Sequence, residues 1–184
     1  VKVQAGRWLV ARLDAYSLGS PLDATLHLVN EQGVRLAFNH DGPQNIDPLL
    51  AYRVEESGTY ILQVAGFAHP PEANVKFAGS TAAIYRLTVT DGPLALQVYP
   101  TGVQRGHKAQ LQLLGWNLEH AGQTNEQSFD ASRLAADAEE ALISVPGAQT
   151  QLPVIIGDEP ERIEIEPNNK PDQAQLVSLP CAVT

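Results

Sequence analysis

Apolar and polar residues alternate in short runs over the first half of the chain. "RWLVARLDA" (7–15) sets Trp8, Val10 and Leu13 among polar neighbours, and "ATLHLVN" (24–30) sets Leu26 and Leu28 against Thr25 and His27. A period of two sends alternate side chains to opposite faces, so these runs predict half-buried strands. Between them, "LGSPLD" and "NEQGV" supply the Gly, Pro, Asn and Asp that a reversing chain needs, and "NHDGPQNID" supplies a longer loop. Further strands are expected at "LLAYRV", "GTYILQVAG" and "AAIYRLTVT". About six strands within roughly ninety residues, without an amphipathic helix, predict an antiparallel sandwich.

"DGP" (91–93) interrupts the pattern, and a second strand series follows: "LALQVYP" (94–100), the turn "TGVQRG", and "HKAQLQLLGWNL" (107–118), where Ala109, Leu111 and Leu113 share a face. "DASRLAADAEEAL" (130–142) reads either as a helix capped by Asp130 or as a loop broken by a single turn. "TQLPVIIGDEPE" closes the series with an apolar strand and an acidic exit. The expected organisation is all-β: tandem antiparallel β-sandwiches over 1–92 and 93–158, then an acidic, proline-rich stretch over 159–184.

At 184 residues, 43% hydrophobic and 18% charged, the chain has ordinary globular composition. Its formal charge of −9 repels nucleic acid and anionic membranes, which disfavours both as partners. No apolar run is long enough to span a bilayer as a helix, so no membrane insertion is expected. The chain lacks methionine and opens on Val1 within strand-like sequence, which suggests a piece of a longer precursor whose export signal lies elsewhere. The single cysteine, Cys181, excludes an internal disulfide and a cysteine metal cluster; it reads as a small packing residue or, alternatively, a reactive thiol.

"AGRWLVARLDAYSLGSPLDATLHLVNEQGVRLAFNHDG", "IDPLLAYRVEESGTYILQV" and "YRLTV" carry a resemblance. The first ninety or so residues resemble the bacterial pre-peptidase C-terminal (PPC) domain, in the variant of large exported planctomycete-type proteins. The motif positions are Gly6, Asp23, Leu26, Leu28, Gly33, Asn39, Asp41, Gly58, Tyr60, Tyr85, Leu87 and Val89. "VYPTGVQRGHKAQLQLLGWNL" is similar to the opening of an Ig-like, TIG-type domain, whose G-x-N-L falls on Gly115, Asn117 and Leu118. "EIEPNNKPDQAQLVSLPCAVT" (164–184) resembles the entry of a further PPC domain. The resemblance implies a jelly-roll-like sandwich followed by an Ig-like one, cut out of phase with the repeats. It also suggests that the tail supplies the front domain's edge by strand addition, within one chain or between neighbours.

In collagenase relatives of the PPC family, the entry segment binds calcium. Carried over, the ligands here are Glu164, Glu166, Asn168 and Asn169, with Asn169 standing where an acidic residue is usual. The alternative is a solvated linker stiffened by Pro160, Pro167 and Pro171. Asn39, Asp41 and Asp47, with Asn45 and His40 among them, form a weaker calcium candidate, against which stands a set of Asx-turns. His27, His40, His69, His107 and His120 occur singly, outside any metal-binding spacing. The serines of "AYSLGSPLD" form no nucleophile elbow, and the adjacent pairs Glu55–Glu56 and Glu139–Glu140 suit solvation better than acid–base work. Trp8, Trp116 and the tyrosines offer either a sugar-stacking platform or core packing, with Trp8, Tyr60 and Tyr85 assigned to packing.

The expected function is therefore a non-catalytic extracellular or cell-surface module, the periplasm being a further location. It would act as a spacer, adhesion or assembly unit meeting other domains of the same protein, neighbouring copies or an extracellular polymer. The alternative is a calcium-assisted module targeting an exported hydrolase to protein fibres or polysaccharide.

Overall fold

The computed structural model describes all residues except 71–76, 78, 120–123 and 149. The chain is all-β and divides into two compact units, Val1–Asp91 and Gly92–Thr184.

The first unit contains β1 (Lys2–Val3), β2 (Trp8–Asp14), β3 (Leu22–Asn30), β4 (Arg35–Asn39), β5 (Leu49–Arg53), β6 (Gly58–Ala68) and β7 (Arg86–Thr90). They form two antiparallel sheets, ordered β1-β6-β3-β4 and β5-β2-β7. The two sheets enclose a core of Leu9, Ala11, Leu13, Leu22, Ala24, Leu26, Leu28, Leu50, Val54 and Tyr60. Leu26 and Leu28 lie on that core face, as the alternation of β3 requires. In β2 the phase is other than expected. Leu13 shares the core with Leu9 and Ala11, whereas Trp8 and Val10 lie on the opposite face, because one strict period of two cannot unite Trp8 and Val10 with Leu13.

The second unit contains β8 (Leu94–Tyr99), β9 (Gly102–Gln104), β10 (Lys108–Trp116), β11 (Glu126–Asp130), β12 (Glu140–Ser144), β13 (Gln151–Gly157), β14 (Glu161–Arg162) and β15 (Ala182–Val183). Two three-stranded sheets, β11-β10-β8 and β12-β13-β9, share a core that includes Leu111, Leu113, Leu118, Ile143, Val154 and Ile156. Two short pairs, β9–β13 and β14–β15, are parallel. The tail belongs to this unit: β14 pairs with β15, and the Thr184 carbonyl accepts from Tyr99 Oη at 3.3 Å.

The segment 130–142 is not a helix: residues 131–139 form a loop between β11 and β12. Asp130 does cap, but it caps a 3₁₀ turn, Ala131–Arg133, by accepting from Ser132 N at 3.1 Å. Downstream, Ala141 and Ile143 pack into the core from β12 while Leu142 is 57% exposed. That period of two, satisfied by pairing with β13, overrides the helix propensity of the Ala, Leu and Glu residues.

The G-x-N-L motif has a local physical basis. β10 bulges between Leu114 and Gly115, and a Cβ at Gly115 would collide with the Leu94 carbonyl oxygen. Asn117 has a φ of 56°, in the left-handed region Asn tolerates, and its Nδ2 donates to the Gly92 carbonyl at 3.1 Å. The turn delivers Leu118 to the core.

Candidate functional site

The "NHDG" loop leaves β4 beside the start of β3. Pairing of β3 with β4 about the Gly33 turn sets Leu26 opposite Asn39, so the next residues, His40 and Asp41, run towards Asp23. His40 Nε2 lies 2.8 Å from Asp23 Oδ1. One ligand atom each from Asp23, His40 and Asp41 falls within 4.8 Å of the others. The His40–Asp23 contact already satisfies two of these atoms without an ion.

This cluster borders the outer face of the four-stranded sheet. Asp23 pairs with Phe67 across β3 and β6. Phe67 stacks on Phe77 with centroids 5.3 Å apart and meets His40 edge-on at 6.1 Å. Further along the sheet, His27 contacts Phe38 at 4.7 Å, and the Arg35 guanidinium lies 5.7 Å from the Phe38 centroid. Phe38 and Phe77 are 50% and 70% exposed. Single-sequence reading did not assemble this face. The β3–β4 register brings His40 towards Asp23, and the pairing with Phe67 depends on the β6 register.

The other members of the loop are structural. The Asp47 carboxylate is buried and accepts from Ala15 N and Tyr16 N at 2.7 Å, Ser17 N at 2.9 Å and Ser17 Oγ at 2.6 Å. Burial raises its pKa, but the Ser17 hydroxyl and the three backbone N–H groups outweigh this and hold the carboxyl below its ordinary value. Asn39 Oδ1 accepts from Leu49 N at 2.9 Å, and Asn45 Oδ1 accepts from Asp47 N at 2.8 Å, an Asx-turn. Asp41, but not Asp47, joins the carboxylate–histidine cluster with Asp23 and His40.

In the tail, Glu164 and Glu166 are exposed. Glu164 Oε1 accepts from Asn168 Nδ2 at 2.7 Å, and Glu166 Oε2 accepts from Asn168 N at 2.8 Å. Asn169 is also exposed. Among the described residues, no third carboxylate, histidine or cysteine joins Glu164 and Glu166 in a metal-sized group. Cys181 is half-buried.

His69 meets Tyr16 edge-on at 5.4 Å, and His107 Nδ1 lies 3.0 Å from the Arg105 carbonyl. His120 falls outside the described residues. Of the aromatics assigned to packing, Tyr60 is in the core and donates from its hydroxyl to the Glu56 carbonyl at 2.6 Å. Trp8 is half-buried and Tyr85 is 50% exposed, so neither is a core residue. Glu55, Glu56, Glu139 and Glu140 are exposed.

Comparison with family models, with characterised proteins and with solved structures returned no match.

Proposed function

We propose that the chain is a non-catalytic structural and interaction module of a larger exported protein, located outside the cell, at its surface or in the periplasm, and serving as a spacer, adhesion or assembly unit. The observation that carries this reading is the outer face of the β1-β6-β3-β4 sheet, where Phe38, Phe67 and Phe77 lie beside His27, His40 and Asp23. Such a face presents rings and polar edges to a partner's surface. The PPC and TIG-type resemblance agrees with it: Gly33, Tyr60, Gly115, Asn117 and Leu118 have turn, bulge or core roles, as residues that determine a fold do. No helix among the described residues is long and apolar enough to cross a membrane.

The test is retention on immobilised collagen, chitin and peptidoglycan, and on the chain itself. Retention that Phe38→Ser weakens supports the reading, and failure to bind any of the four sinks it. A second reading, a targeting module of an exported hydrolase that binds protein fibres or polysaccharide with calcium, draws on the aromatic composition of the same face. Retention on a polymer that calcium strengthens and EDTA removes would favour it.

A further inference from the structure

The free side of β12 can be read from the hydrogen bonds of its neighbour β13. Ile156 N donates to the Glu139 carbonyl and Ile155 N to the Thr101 carbonyl, both at 2.9 Å, so the backbone of Ile156 faces β12 and that of Ile155 faces the β9 side. Groups of alternate residues point the same way, so Val154 and Leu152 also face β12. Their partners are Ala141 and Ile143, which leaves the backbone groups of Glu140, Leu142 and Ser144 directed away from β13. Pro153 fits this phase: the N–H it lacks would lie on the β9 side, where pairing begins only at Ile155. Among the described residues, no strand pairs with β12 on its far side, and no other backbone group bonds to Glu140, Leu142 or Ser144 there.

Beside that edge the outer face of the β12-β13-β9 sheet is apolar. Leu142 is 57% and Ile155 62% exposed, and Pro153, opposite Leu142, is exposed as well. Glu140 is the one charged residue of the strand, and it stands at its start.

The five residues of β12 are complementary to themselves about Leu142. A two-fold axis there sets Leu142 opposite Leu142 of a second copy, Ala141 opposite Ile143, and Glu140 opposite Ser144. The outward backbone groups of Glu140, Leu142 and Ser144 then meet their counterparts in the order a ladder requires. On the outer face, Pro153 and Leu142 of each copy join in one apolar row. No carboxylate of the strand faces another, so two chains of net charge −9 can meet here with little local repulsion. The same operation on β11, an edge strand of the other sheet, sets Glu126 opposite Asp130, where like charges repel.

We propose that the open edge of β12 pairs antiparallel with the same edge of a second copy of this chain, joining the two sheets into one. This rests on the interaction-module reading and deepens it by naming the partner and the contact.

Sedimentation velocity of the full chain over about 1–200 µM tests it, with Leu142→Lys and Leu142→Glu. Both substitutions fall on an exposed side chain, so the fold stands, and an unchanged Tm verifies this. Each sets like charges against each other at the two-fold axis. The wild type is expected to self-associate, and each variant to dissociate at least about tenfold more readily. An equimolar mixture of the two variants regains association, because opposite charges then meet at the axis. Phe38→Ser, in the first unit, leaves the association unchanged. A wild type that stays monomeric throughout overturns the proposal. So does association that survives both Leu142 variants, that Phe38→Ser abolishes, or that mixing fails to restore. Retention on the polymers, and its weakening by Phe38→Ser, reports on the interaction-module reading, which stands or falls separately.

Discussion

Asp47 offers the sharpest test of the folding argument. Its carboxylate is the acceptor for three backbone N–H groups and a hydroxyl, all between Ala15 and Ser17. Asp47→Ala leaves these donors without their acceptor at a site where Ala15 is fully buried. A hydrogen bond to a charged acceptor contributes about 1.5–3 kcal/mol, and the four share one carboxylate, so we expect a loss of about 3–5 kcal/mol rather than their full sum. For a unit of this size that corresponds to a fall of roughly 12 °C or more in Tm. Asp47→Asn keeps the shape and one acceptor oxygen but turns an NH₂ towards donors, and is expected to lose about 2 kcal/mol.

The pH dependence follows from the lowered pKa of Asp47. A carboxyl that binds its proton less tightly when folded adds stability above its unfolded pKa, and loses it as pH falls through the folded pKa. The deficit of Asp47→Asn should be full at pH 7 and shrink below about pH 4, where the protonated acid comes to resemble the amide. Calorimetry of wild type and both variants from pH 7 down to about pH 3 reads this directly. A deficit under about 1 kcal/mol for Asp47→Ala at pH 7, or one for Asp47→Asn that stays constant with pH, would refute the reasoning.

Other consequences are simpler to measure. Leu111→Ala empties a position at 0% exposure in the second core and should cost about 2–5 kcal/mol, marking the second unit's endotherm; a shift confined to the other transition would contradict the two-core arrangement. Gly115→Ala pushes a methyl group onto the Leu94 carbonyl oxygen across the bulge and is expected to destabilise the same unit by about 2–4 kcal/mol, so an unchanged urea midpoint would show that the bulge yields freely. Millimolar calcium should leave the second unit's midpoint where EDTA leaves it, because Glu164 and Glu166 already accept from Asn168. A calcium-raised midpoint abolished by Glu164→Gln would restore the tail as a ligand.

What the sequence determined by itself was whatever depends on neighbours along the chain. The alternation of Leu26 and Leu28, and of Ala109, Leu111 and Leu113, specified strands and their buried faces, since successive side chains of any strand point to opposite sides. Turn chemistry was equally legible: Gly33 adopts a φ of 79°, and Asn45 closes an Asx-turn. Where local signals disagreed, as at 130–142, pairing with β13 decided between turn and helix, because a ladder and a core stabilise more than propensity does. The tertiary structure alone placed His40 against Asp23, set Phe67 edge-on to His40, and bonded the Asp47 carboxylate to the backbone of a 3₁₀ turn. These features join residues far apart in sequence, and the strand registers that bring them together are set by packing across two sheets, which no local window of the chain contains.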